Sequence, residues 1–167
     1  SETPASFANA KISGLDFVFN LFRKYEFSHL TTIYNRTEAI KNDFYRVNII
    51  SSDIESLLRL AIHGNVVLYN KIVGQWNQTG DNESMNQSFK SSIENLVWIE
   101  NVNTALVNQV NFVKRFLWRV RMKFVYSNPI IFSIRNQKTI SISQLVLIFK
   151  RKVFIIGLFK IGIIFCN

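Results

Sequence analysis

Few residues in this chain of 167 have the types and spacings that chemistry requires. His29 and His63 are its two histidines. Neither has a second histidine four positions away, the arrangement that turns two imidazoles toward one zinc ion on a helix face. Asp53 and Glu55 come nearest to a carboxylate pair. Two positions apart on a helix, they point to different sides and cannot share a proton. The glycines at 14, 64, 74, 80, 157 and 162 form neither a phosphate-cradling loop nor a nucleophile elbow. Cys166 is the one cysteine, so there is no disulfide framework and no Cys/His zinc spacing. The chain therefore reads as non-enzymatic, with no catalytic, metal or cofactor site expected.

One modification chemistry does have its motif. The N-glycosylation signal Asn-x-Ser/Thr occurs at Asn35, Asn77, Asn82 and Asn86. Three of the four fall in the polar stretch 77–88, and none lies beyond residue 118. Asn82 and Asn86 are too close together for both to be used readily. The chain opens on Ser1 without the basic and apolar segments of a secretion signal, the expectation for a mature form. Together these features point to a secreted glycoprotein.

Charge divides the chain in two. The net charge is +9, yet residues 1–118 hold eleven bases and eleven acids. The whole excess sits in residues 119–167, and no acid follows Glu100. A neutral body argues against a dedicated nucleic-acid binder. Lys114 and Arg115, with Trp118 and Arg119, form a small basic and aromatic group suited to phosphate or anionic lipid. Otherwise Trp76, Trp98 and Trp118 read as packing residues. In the tail, Lys150, Arg151 and Lys152 form a basic collar between two apolar runs, a candidate membrane or anion contact. Each run is shorter than the roughly 20 residues of a membrane span. From Arg121 onward Phe, Ile, Lys and Asn dominate while Asp, Glu, Ala, Trp and His are absent. That residue set matches translated A+T-rich non-coding DNA. Residues 119–167 thus read as a basic hydrophobic tail, either translated intron sequence or a membrane-interacting segment.

The elements that would carry these residues are helical. Residues 1–12 are a flexible N-terminus, and residues 13–118 form the expected helical domain. Ser13, with Asp16 three positions on, has the spacing of a helix cap. A short aromatic helix follows from Leu15 to about Glu26. Between Ser28 and Trp76, apolar and small residues from Leu30 and Ile33 through Leu68 and Ile72 recur at steps of three and four. Such a heptad predicts a long helix that needs a partner. Ser51–Ser52–Asp53 offers an alternative start, and His63–Gly64–Asn65 a weak point, but the register runs through both. After the loop at 77–88, a second heptad runs from Phe89 to Leu117.

Two heptads around one loop predict an antiparallel coiled-coil-like hairpin, with Asn65 and Asn103 setting its register. The expected fold class is all-α: a short N-terminal helix, a long helical hairpin and a poorly defined tail. Apolar flanks beyond the seam, including Val107, Phe112 and Phe116, mark the expected binding surface. The expected function is interaction or structure in the secretory pathway, through self-association or another helical protein. The alternative is a membrane-active or pore-forming-type protein using the hairpin and the tail.

Overall fold

Helix starts and stops in this chain are set by polar side chains that cap backbone groups and by residues forced into left-handed backbone. A computed structural model describes residues 10–26, 31–69, 88–128, 130, 141 and 143. The chain divides into two compact units, one of residues 1–48 and 52–79, the other of residues 49–51 and 80–167.

In the first unit, strand β1 (Ala10–Ser13) leads directly into helix α1 (Gly14–Asn20). The Ser13 side chain caps α1 by accepting the Asp16 N–H at 3.1 Å. The helix ends where Phe22 takes a positive φ of 59°, well short of Glu26. Tyr25 folds back over the turn, stacks on Phe17 at 5.8 Å and donates its hydroxyl to Asp16 Oδ2 at 2.7 Å. Helix α2 (Arg36–Lys41) is capped by Asn35. Helix α3 (Ser52–Ile62) begins at the serine pair and ends before Gly64. Strand β2 (Asn65–Leu68) then pairs antiparallel with β1, Ser13 opposite Asn65 and Ala10 opposite Leu68. Helices α1 and α3 pack together. Phe17, Val18, Leu21, Tyr25, Leu58 and Ile62 form the core, whose burial drives the fold.

The second unit holds helices α4 (Phe89–Asn95), α5 (Val97–Ala105) and α6 (Phe112–Tyr126). Helices α4 and α5 meet at Leu96, where the backbone bonds tighten from four residues to three. Asn95 closes α4 with a reciprocal amide pair: its Oδ1 accepts the Ser51 N–H at 2.8 Å, and its Nδ2 donates to Ser51 Oγ at 2.9 Å. Both residues are buried, so each polar group needs the other. Ile93, Leu96, Trp98, Ile99, Val102, Leu106 and Met122 are fully buried.

The all-α hairpin is overturned. Helix makes up about 59% of the described residues, but a two-stranded sheet stands beside it, and no long helical hairpin exists among those residues. Three local causes break the expected helix at Ser28–Trp76. Asn35 caps a new start, accepting the N–H groups of Thr37 and Glu38. Asp43 and Tyr45 adopt left-handed backbone with φ of 47° and 61°, which a right-handed helix cannot contain. The β-branched pair Val66–Val67 extends against Ile12 and Lys11 instead of continuing α3. In a chain that is 48% apolar, steps of three and four recur often enough to cross breaks that the backbone obeys. The second heptad is likewise divided, at Leu96 and again by the turn that ends at the α6 cap, Asn111.

Candidate interaction surface

Buried charge is the first place to look for chemistry, and the first unit has one such cluster. Glu55 on α3 is fully buried. Arg59 Nε lies 2.8 Å from its Oε1, one turn along the helix, and Arg46 Nη2 lies 3.1 Å from the same oxygen. Arg59 also donates to the carbonyl oxygens of Asn42 and Asp43. Ser56 Oγ accepts the Tyr45 N–H at 2.8 Å. Arg59 and Ser56 tie α3 to the backbone of the turn at 42–45, where Asp43 and Tyr45 have positive φ, and Glu55 holds Arg59 in place, so the cluster is a clamp on backbone. Glu55 thus has a structural partner set, while Asp53 accepts the N–H of Ile54 in the first turn of α3. His63 is exposed just past the end of α3. No group of three metal-ligating side chains occurs among the described residues.

In the second unit, α6 is fixed by its inner face. Asn111 Oδ1 caps it by accepting the Lys114 N–H at 2.9 Å. Trp118 and Met122 are buried, and Trp98 of α5 meets Trp118 and Tyr126 edge-on at 6.2 and 4.9 Å. The Trp98 indole N–H has no hydrogen-bond acceptor among the described residues, and the ring acts through its packing. Glu100 of α5 receives Arg119 Nε at 2.8 Å and Lys123 Nζ at 2.6 Å. Partial burial alone would raise the Glu100 pKa. The hydrogen bonds and charges of Lys123 and Arg119 outweigh it and hold the carboxyl below its ordinary value. Arg115 Nη1 reaches toward the Asn103 carbonyl at 3.5 Å. Asn103 is therefore half-buried beside α6, and Asn65 is exposed in β2, so the two expected register residues lie in different elements and different units.

With Trp118, Met122 and Lys123 buried, α6 turns one side outward. Phe112, Val113, Phe116, Leu117, Val120 and Phe124 are all exposed, Phe112 at 70% and Leu117 at 61%. Phe112 and Phe116 stack on each other at 6.1 Å. At 3.6 residues per turn these six positions occupy an arc of roughly 140°. The six side chains form an exposed apolar stripe along α6. The helix also carries Lys114, Arg115, Arg119, Arg121 and Lys123 and no acid. It runs across residue 119, where the charge character of the chain changes, and it buries Met122 and Lys123 beyond that point.

The structure brings none of the sequence-marked sites together. Asn35 is exposed at the start of α2, its Oδ1 engaged as the cap. Asn77, Asn82 and Asn86, the collar Lys150, Arg151 and Lys152, and Trp76, His29 and Cys166 lie outside the described residues. The flank residues Phe112 and Phe116 do mark part of the α6 stripe. Val113 and Leu117, assigned to the buried seam by the heptad, are on the surface. No helix among the described residues is long and apolar enough to cross a membrane. No family model, no curated protein and no solved structure matches this chain.

Proposed function

We propose that the chain is a non-enzymatic interaction protein of the secretory pathway whose working surface is the outer face of α6. The observation that carries this reading is the continuous exposed stripe from Phe112 to Phe124, on a helix already fixed by Trp118, Met122 and the Glu100 ion pairs. A helix with its inner face satisfied does not need a second apolar face in order to fold. Replacing Phe116 and Leu117 together by Asp is the test. If the face serves binding, the double variant keeps its far-UV circular dichroism and its urea midpoint, with stability within about 0.5 kcal/mol of wild type, as for surface substitutions generally. If the face is core, the same change costs several kcal/mol, on the order of 3–5 for each large side chain lost, and the reading falls.

The secretory assignment is supported by the exposed signal at Asn35–Arg36–Thr37. The cap uses the Asn35 carbonyl oxygen, which leaves the amide nitrogen as the atom that takes a sugar. Material made in a eukaryotic secretion host is expected to carry a glycan at Asn35, lost in Asn35→Gln and removed by an endoglycosidase. An unmodified Asn35 peptide in the mass spectrum of secreted material would argue against it.

A further inference from the structure

Ser51 stands just before α3, where a serine ordinarily caps its own helix by accepting an N–H of the first turn. Its hydroxyl is engaged elsewhere. Ser51 Oγ accepts from Asn95 Nδ2 at 2.9 Å, and the Ser51 N–H donates to Asn95 Oδ1 at 2.8 Å, across 44 positions of sequence. Among the described residues, the Ser51 side chain makes no hydrogen bond to the first turn of α3. The Ile54 N–H is taken by the Asp53 carboxylate instead, at 2.8 Å. Residues 49–51 belong to the second compact unit, while the residues on either side of them in sequence belong to the first. They form a strap whose last residue is held by the last residue of α4.

We infer that Ser51 is a two-position switch: docked on Asn95 it leaves α3 without its serine cap, and released it caps α3. One side-chain torsion decides which donor the hydroxyl oxygen meets, so the two positions exclude each other. Docking is held by two hydrogen bonds between groups that are each only 5% exposed. Release recovers the cap, worth roughly fivefold in the equilibrium, and returns the Asn95 amide to water. The same step frees the joint at Leu96, where α4 meets α5 through bonds of three residues, a geometry that marks hinges. The strap thus links the state of that joint to the first turn of α3. This inference is independent of the α6 face.

Amide hydrogen exchange of the full chain, followed residue by residue by NMR, is the test. Ser51→Ala should leave exchange at Asp53 and Ile54 within about twofold of wild type, because the docked hydroxyl does not cap α3. Asn95→Ala should slow exchange at the same two amides roughly fivefold while speeding it at Leu96 and Val97. Adding Ser51→Ala to Asn95→Ala should abolish the slowing. If Asn95→Ala does not fold, Asn95→Asp takes its place: it keeps the acceptor for the Ser51 N–H, removes the donor that holds the hydroxyl, and should give the same slowing. An ordinary cap behaves oppositely, with Ser51→Ala speeding exchange at Asp53 and Ile54 about fivefold, and that result would overturn the inference. Faster or unchanged exchange at those amides in the Asn95 variants would overturn it as well.

Discussion

The Arg59→Met variant is expected to unfold the first unit at markedly lower urea than wild type, with a loss of about 3–5 kcal/mol. Methionine keeps much of the apolar stem but leaves the fully buried Glu55 carboxylate without the guanidinium at 2.8 Å. Arg46 remains, but its side chain is 40% exposed and its pairing is correspondingly weaker. The carbonyls of Asn42 and Asp43 lose their donors in the same step. They belong to the turn in which Asp43 and Tyr45 hold positive φ, a conformation costly for residues with a Cβ and kept only while surrounding contacts insist on it. Pairing Arg59→Met with Glu55→Met removes the stranded charge, so the double variant should be more stable than Arg59→Met alone. Urea titrations of the two variants, followed by circular dichroism, decide this. A single-variant loss below about 1 kcal/mol would show that the clamp does not hold the turn.

Gly14→Ala is the second large effect. A Cβ at Gly14 would lie 1.6 Å from the carbonyl oxygen of Ala61, inside any van der Waals limit. The obstacle is backbone on α3, so no side-chain rotation relieves it. Relief requires α1 to move off α3, which would also pull on the bond from the Gly14 N–H to the Gly64 carbonyl at 2.9 Å and on the adjoining strand pair. The expected cost is about 3 kcal/mol or more. Gly64→Ala is the matched control, because nothing lies within 4 Å of its Cβ and its φ is not positive. That change should be neutral or stabilise by up to about 1 kcal/mol through the unfolded chain. Equal melting temperatures for the two alanine variants would refute the close approach.

Features encoded within a few residues were legible in the amino-acid sequence. Ser13 with Asp16 marks the start of α1 because a cap is a contact between near neighbours. The serine pair at 51–52 and Gly64 carried the same kind of local signal for the start and end of α3, but the heptad register was followed through both. What misled was the longer pattern. The heptad assumes unbroken helical phase, and phase is lost wherever a single residue turns left-handed, as at Asp43 and Tyr45. Asp tolerates that conformation better than most residues but Tyr does not, and the turn depends on Arg59, sixteen and seventeen positions away from the carbonyls it holds. The strand pair was hidden too, because Val66 and Val67 acquire their meaning only opposite Ile12 and Lys11.

The α6 surface shows the same limit. Phe112 and Phe116 stood out as apolar flanks, but the inward and outward sides were assigned by carrying the α5 phase through residues 106–111. The helix stops at Ala105 and restarts at Asn111, so its phase is set afresh. Trp118 and Met122 then turn inward, and Val113 and Leu117 turn out. The ion pairs of Glu100 with Arg119 and Lys123 link α5 to α6 across that restart, and no fixed spacing signals them.

The pairing of β1 with β2 also sets an order of events during synthesis. The strand at Ala10–Ser13 leaves the ribosome early, and its mate at Asn65–Leu68 follows only after α1, α2 and α3 have been made. Until then one edge of the nascent chain has exposed N–H and C=O groups and half its apolar side chains uncovered. Closing so distant a contact is slow, because the loop entropy is lost before the pairing returns anything. The β1–β2 pair can form only once Leu68 has been made, so a chaperone or a translational pause near Leu68 would act on that pairing.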